Sequence, residues 1–396
     1  MVLGRYRELT RLPGVAPLLL AAAVGRLPYG MNVVALILLL RAEGFDYAAV
    51  GVVTGASALA VGLTAPWLGR LIDRLGQTRV LLATAALCAA AGAGLVAGAL
   101  AGAGVVVLTA LALAVGGATP PVSASIRTLL PALVGRERLD TAFAFDALQI
   151  ELVFIAGPLL AAAIAALLSP EAAFVTGVVL QTAGALGLAA APASRRWRPA
   201  PRAPGPRAGA LATAGLRRLV LSLAITALAL GVLEIGIAAF AEREGSRGDS
   251  GWLFALWGAG SLAGGLWYGA RRWRAPADVR FLLVSGVLVA GLAPLPLAGS
   301  LPVFAALVVV AGLGLAPSTA ACYSLIATLA PHGAVTEAYA WQIVAYVSGS
   351  AAGAWLAGVV VEQAGVTAAL ACAPGAAALG LLVAVAGRRS LAVPAA

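Results

Sequence analysis

Four charged residues interrupt long apolar runs in this chain: Arg26 within Val15 to Leu40, Asp146 and Glu151 within 141–168, and Glu234 within 217–241. A charge at the centre of a bilayer costs about 2.5–3.5 kcal/mol on insertion scales, so such residues face a wet or polar interior and are paired. Arg26 needs a partner. It and Glu151 each stand about ten residues from the same end of their runs, which at about 1.5 Å per residue puts them at similar depth, and the expectation is an Arg26–Glu151 ion pair. Glu234 has no arginine left over. A carboxyl in that position can hold and release a proton, or it can stay neutral through hydrogen bonds or hydrated near the outer surface. Glu151 and Glu234 are therefore the two candidates for carrying a proton. Asp146 lies about one and a half turns inside its run and is expected at a domain interface, answering Arg74 or a helix terminus.

Other chemistries find no support. Cys88, Cys322 and Cys372 sit inside apolar runs without paired spacing, and His332 stands alone in a loop, so neither a disulfide framework nor a metal site is suggested. No nucleophile with its base and no nucleotide loop is present, so the expectation is a protein that is not an enzyme and takes no cofactor.

The elements that hold these charges are membrane spans. The chain is 62% hydrophobic and 11% charged, against about 45–50% and about 25% in soluble domains. A run such as Val15–Leu40 is long enough to cross lipid, and it continues past Ala21–Ala23, which rules against a cleaved leader after Arg5, Arg7 and Arg11.

The net charge of +10 arises without a single lysine, and the arginines gather in alternate loops rather than on one stripe, which excludes nucleic-acid binding. Arg5, Arg7, Arg11, Arg70, Arg74, Arg79, Arg127, Arg136, Arg138, the run Arg195 to Arg218, Arg271, Arg272, Arg274, Arg280, Arg388 and Arg389 fall on one side. Glu43, Asp46, Glu171, Glu242, Glu244, Asp249 and Glu362 fall on the other, with only Arg41, Arg243 and Arg247 among them. By the positive-inside rule the arginine-rich side is cytoplasmic and holds both termini. The spans are expected at 15–40, 48–69, 79–100, 103–126, 141–168, 172–192, 217–241, 250–270, 280–299, 302–328, 336–361 and 366–387. Helical spans place the protein in a bacterial inner membrane, since outer-membrane spans are barrels.

Residues 194–216, rich in Arg, Pro, Ala and Gly and containing Pro199, Pro201, Pro204 and Pro206, read as a linker between an N-terminal bundle, 1–193, and a C-terminal bundle, 217–396. The halves repeat one another: Pro121 through Ala142 and Phe143 to Gly157 matches Pro317 through Ala338 and Tyr339 to Gly353 at an offset of about 196, and Glu43-Gly44 matches Glu244-Gly245. With six spans each, the two share one orientation. The fold class is all-α: twelve transmembrane helices in two pseudo-symmetric six-helix bundles.

Between the second and third spans stands Gly69-Arg70-Leu71-Ile72-Asp73-Arg74-Leu75-Gly76-Gln77-Thr78-Arg79. Gly69 and Gly76 permit close approach and a tight turn, and an acid beside arginines can bridge to helix ends of the other half, which makes Gly69, Asp73, Arg74, Gly76 and Arg79 a candidate gate. The loop resembles the signature of the major facilitator superfamily, in which a Gly, three residues, Asp, Arg, one residue and Gly precede basic residues. Here the positive charge after the second glycine arrives at Arg79, and the second half has Tyr268-Gly269-Ala270-Arg271-Arg272-Trp273-Arg274, without the acid. Phe154 to Ala162, with Gly157-Pro158, looks like a degenerate fifth-span motif of the superfamily's proton-coupled exporters. That resemblance implies packing of Gly157 and Pro158 against the opposite half. Many such exporters also carry a mid-span arginine in the fourth span, but Val105 to Val115 contains no charge.

The resemblance further implies that the first, fourth, seventh and tenth spans line a cavity. It directs attention to Arg26, Tyr29 and Asn32, to Thr109 and Thr119, and to Ser318, Thr319 and Tyr323, flanked by Trp341, Gln342 and Tyr346 of the eleventh span. A polar stripe with an aromatic suits a drug-like or sugar-like solute. The function implied is secondary active transport by alternating access, as proton-coupled efflux from a monomer in the bilayer. An uptake symporter or facilitative carrier in the same fold remains open, as does a membrane sensor that transports nothing.

Overall fold

Long aliphatic runs fold as helices in lipid because each backbone N–H and C=O must find its partner within its own segment. The structure, a computed structural model, describes residues 2–198, 209–244 and 250–392, and all regular structure among them is helical. Ten stretches are long and apolar enough to cross a membrane, among them Val15–Ala42, Ala49–Leu75, Gln77–Leu100, Val105–Val134, Arg136–Leu167 and Pro170–Ala190 in the first half. The second half has Ala214–Arg243, Ala277–Leu297, Leu301–Leu329 and the 52-residue Val335–Ala386. That last stretch is two spans, 335–364 and 366–386, because Gly365 (φ 85°) breaks it. Ser250–Ala270, in which Gly and Trp dilute the aliphatic residues, is the eighth span, and the total is twelve. Most of the expected linker, 199–208, lies outside the described residues, as do Gly245, Arg247 and Asp249.

Three spans are broken at mid-length. Leu27 separates Val15–Arg26 from Pro28–Ala42, the Pro120-Pro121 pair separates Val105–Gly117 from Val122–Val134, and Leu313-Gly314 separates Leu301–Gly312 from Leu315–Leu329. Proline has no N–H to give the preceding turn, so the first two breaks follow from composition. The fourth span was expected to end at 126; it resumes after its prolines and runs to Val134, which carries Arg127 inside the bundle.

Buried apolar side chains divide unevenly between the two ends of the molecule. At the arginine-rich end one core serves both halves, joining Ile126, Phe143, Ala147 and Leu148 to Tyr268, Phe281, Ala320, Tyr323 and Tyr339. Toward the acidic end each half keeps a core of its own. Met31 to Leu40, Leu95, Leu108 and Phe174 form one, and Val232 to Phe240, Leu292, Phe304 and Leu370 form the other. The halves are thus fastened at one end and separate at the other.

Candidate functional site

A charged cluster lies where the broken first and fourth spans meet the fifth. Arg26 and Asp146 are fully buried and Arg127 nearly so. The Asp146 carboxylate is shared: Oδ1 lies 2.6 Å from Nη1 of Arg26 and Oδ2 2.7 Å from Nε of Arg127. Arg26 also donates from Nε to Ser123 Oγ at 3.0 Å and from Nη1 to Gln149 Oε1 at 3.3 Å, while Tyr29 adjoins Ser123 and both guanidiniums. Charges taken out of water at this depth are tolerable only with partners of this quality.

The expected Arg26–Glu151 pair is therefore corrected: Arg26 meets Asp146. Asp146 and Glu151 are five positions apart, so their side chains leave the fifth span on different faces. Glu151 instead accepts from Ser261 Oγ of the eighth span at 3.0 Å. Asp146 likewise answers Arg26 and Arg127 within its own half, and not Arg74 or a helix terminus. Gly157 and Pro158 are also internal to the first half. They press on Gly30 of the first span so closely that a Cβ on Gly157 would lie 2.8 Å from the Gly30 backbone.

Arg127 carries the cluster across to the second half. Its Nη2 donates to Tyr323 Oη at 2.6 Å and its Nη1 to Gln342 Oε1 at 3.1 Å. Gln342 in turn lines a cavity of about 50 Å³ with Ser318, Thr319, Cys322, Tyr346 and Thr226. Tyr346 is 36% exposed and lies within electrostatic reach of both Glu151 and Glu234. The structure thus gathers Arg26, Tyr29, Ser318, Thr319, Tyr323, Gln342 and Tyr346 about one centre. Asn32 is turned away to Gln181 of the sixth span at 3.1 Å, and Thr109 and Thr119 bond to carbonyls of their own helix. Trp341 donates to Glu337 Oε1 at 3.3 Å and belongs to the seam described next, not to the cavity.

The arginine-rich seam is closed by polar bridges between the halves. The eleventh span begins at Ala334 with no side-chain cap of its own, and Asp73 of the second span supplies one: its oxygens accept from the N–H groups of Thr336 at 3.2 Å and Glu337 at 2.9 Å. A carboxylate at a helix N-terminus also answers the helix dipole. Arg70 Nε lies 2.8 Å from Glu337 Oε1, Gly69 lets the backbones meet there, and Gly76 (φ 91°) makes the turn that follows. Of the expected gate residues Arg74 and Arg79 are exposed, and the cation at the seam is Arg70.

A second bridge is related to the first by the repeat. Thr128 and Thr336 share a hydrogen bond of 3.1 Å, and their counterparts 196 residues on and back, Ser324 and Asp140, share one of 2.8 Å. Arg280 pairs with the same Asp140. Tyr6, on a helix that precedes the first span, donates to the Gly265 carbonyl at 3.1 Å; burial pushes its hydroxyl up to about 12, which keeps the proton in place for that bond.

Known proteins share this fold. The family model of the Major Facilitator Superfamily matches residues 18–274. The MFS-type transporter y4rN of Sinorhizobium fredii (strain NBRC 101917 / NGR234) is 36% identical over 172 residues, and the match spans 42% of this chain and 42% of that relative. Among solved structures, the human organic anion transporter MFSD10 (TETRAN) is similar with a TM-score of 0.73 at 18% identity, covering 93% of this chain and 98% of its own. A bacterial homologue of the iron transporter ferroportin in an outward-facing state is similar with a TM-score of 0.75 at 14% identity, covering 94% of this chain and 99% of its own. At such identities the likeness speaks for the fold. With a family model matched over well over half its length, the chain belongs to the major facilitator superfamily.

Proposed function

We propose that this protein carries a small organic solute across the bilayer by alternating access, as a proton-coupled exporter working as a monomer. The observation that supports it is the uneven core: shared at the arginine-rich end, divided at the acidic end, with the charged cluster and its cavity at the junction. Rocking of two such halves about that junction would expose the cluster to each side in turn. By the positive-inside rule the closed end faces the cytoplasm of a bacterial cell, both termini lie there, and the conformation is outward-facing. The names of the similar structures are those of transporters, one of them in an outward-facing state.

Glu151 is the first choice for coupling. Its bond to Ser261 joins the halves at mid-depth, beyond the seam, so its protonation state acts on the contact that must break when they part. Glu234, the other acid near Tyr346, is the second choice.

Reconstitution in liposomes holding a pH-sensitive dye tests both, with anionic, neutral and cationic solutes presented to wild type, Glu151→Gln and Glu234→Gln. Solute-driven proton movement is expected in wild type, opposite in direction to the solute, and is expected to be lost in Glu151→Gln. Solute movement without proton flux in wild type would make the protein a facilitator, and parallel fluxes would make it a symporter.

A further inference from the structure

The charged cluster is not balanced. Arg26 and Arg127 bring two guanidiniums, which stay charged at any pH the protein meets. Asp146 brings one carboxylate, and the remaining partners, Ser123, Gln149, Gln342 and Tyr323, are neutral. Glu151 is occupied by Ser261. Among the described residues, one positive charge is thus left over in a buried place where an uncompensated charge is costly. Arg26 also has a donor to spare: its buried Nη2 has no hydrogen-bond partner among the described residues. A glutamine could satisfy Ser123 and Gln149 without the charge, so hydrogen bonding alone does not account for the second arginine.

The repeat indicates where the missing negative charge would act. At the offset of 196, Tyr323 is the counterpart of Arg127, and Gln342 is the counterpart of Asp146. The position where symmetry would put a second carboxylate therefore holds a neutral amide on a side chain one methylene longer. That amide separates Arg127 from the cavity, because Gln342 both accepts from Arg127 and lines the cavity wall.

We propose that the transported solute carries an anionic group, a carboxylate or its sulfonate or phosphate equivalent. The group takes the place of the Gln342 amide on Arg127 and draws on the excess charge that Arg26 maintains beside it. Displacing Gln342 would also remove one of the bonds by which Arg127 ties the halves together, which links binding to their parting. This rests on the reading of the chain as a carrier.

The test is thermal unfolding of the purified protein in detergent at constant ionic strength, with benzoate and acetate set beside benzamide, acetamide and benzylamine at tens of millimolar. The two carboxylates are expected to raise Tm by about 2–4 °C, as a ligand well above its Kd does for a chain of this size, and the amides and the amine are expected to leave it unchanged. Arg26→Gln leaves Asp146 paired with Arg127, so it is expected to fold and to lose the shift. Gln342→Glu supplies the missing carboxylate from within; it is expected to raise Tm without ligand and to abolish the response to carboxylates. Equal shifts from amides or amine, a carboxylate shift that persists in Arg26→Gln, no shift from either carboxylate, or a Gln342→Glu protein less stable than wild type would each overturn the proposal. Solute flux in liposomes separates this from the carrier reading. Carboxylate binding without flux leaves the anion site standing and removes the carrier, whereas flux confined to neutral or cationic solutes does the reverse.

Discussion

Asp146→Asn is expected to be the most damaging single change in the molecule. It removes the one carboxylate that two buried arginines share and leaves both without a counter-charge, at a depth where water cannot replace it. Removing one partner of a buried ion pair costs about 3–5 kcal/mol, and here two pairs are broken at once. The substitution is nearly isosteric, so packing cannot be blamed. Thermal unfolding and size-exclusion chromatography in detergent are expected to show a large drop in Tm or aggregated protein. Adding Arg26→Gln to Asp146→Asn should recover part of the loss by removing one of the stranded charges. An Asp146→Asn protein as stable as wild type would mean that the arginines are hydrated, and the buried cluster would no longer hold as described.

The second large effect is expected at the seam. Asp73→Ala removes both hydrogen bonds by which Asp73 caps the start of the eleventh span. Hydrogen bonds to a charged group contribute about 1.5–3 kcal/mol each, so even one of them shifts the ratio of closed to open seam by about tenfold or more. A cysteine placed at Thr128, which sits on the seam opposite Thr336, reports the change. Its labelling by a membrane-impermeant maleimide from the arginine-rich side is expected to accelerate at least about tenfold in Asp73→Ala, with the fold intact. Labelling at the wild-type rate would show that Arg70–Glu337 and the Asp140 bridge hold the seam without Asp73.

Much of this was legible in the sequence because lipid imposes strong rules. Uninterrupted apolar length gave the spans, and the offset of 196 pairs residues that the structure brings into matching bonds, Thr128–Thr336 and Ser324–Asp140. The contact of the loop after the second span with the other half was also readable, since an acid beside close-packing glycines can bond to a helix start, as Asp73 does. The site was harder to read. Arg26 was recognised as needing a partner, but depth alone cannot decide between Asp146 and Glu151, which are five residues apart on one helix and face different neighbours. Arg127 reads as a loop residue because a span of ordinary length ends at 126 and Arg136 and Arg138 follow, whereas the helix that resumes after Pro120-Pro121 runs on to Val134. A signal was available. The repeat pairs Arg127 with Tyr323, a residue already placed inside the tenth span.

The same repeat shows what distinguishes the two halves. Phe143 and Tyr339 are counterparts and their rings lie 6.3 Å apart near the pseudo-twofold axis, as Arg127 and Tyr323 are counterparts that bond to each other. Where the first half is charged the second is polar and neutral, a difference that depends on single side chains at matched positions and is invisible to composition. Trp341 illustrates the opposite difficulty. One turn after Glu337, it lies on the face that meets the seam, while Gln342, its neighbour, faces Arg127 and the cavity.

Alternating access requires that the two ends of the molecule open in turn, and this can be measured directly. In a cysteine-free background, nitroxide pairs at the exposed Arg74 and His332 would report the arginine-rich end, and pairs at the exposed Glu43 and Glu362 the acidic end. Pulsed electron spin resonance in lipid nanodiscs, with and without benzoate and across pH, is expected to find two populations at each end. The short distance at one end should be populated in step with the long distance at the other, and Asp73→Ala should shift both together. A single distance at each end under all conditions, or ends that open independently, would contradict transport by rocking of the two halves.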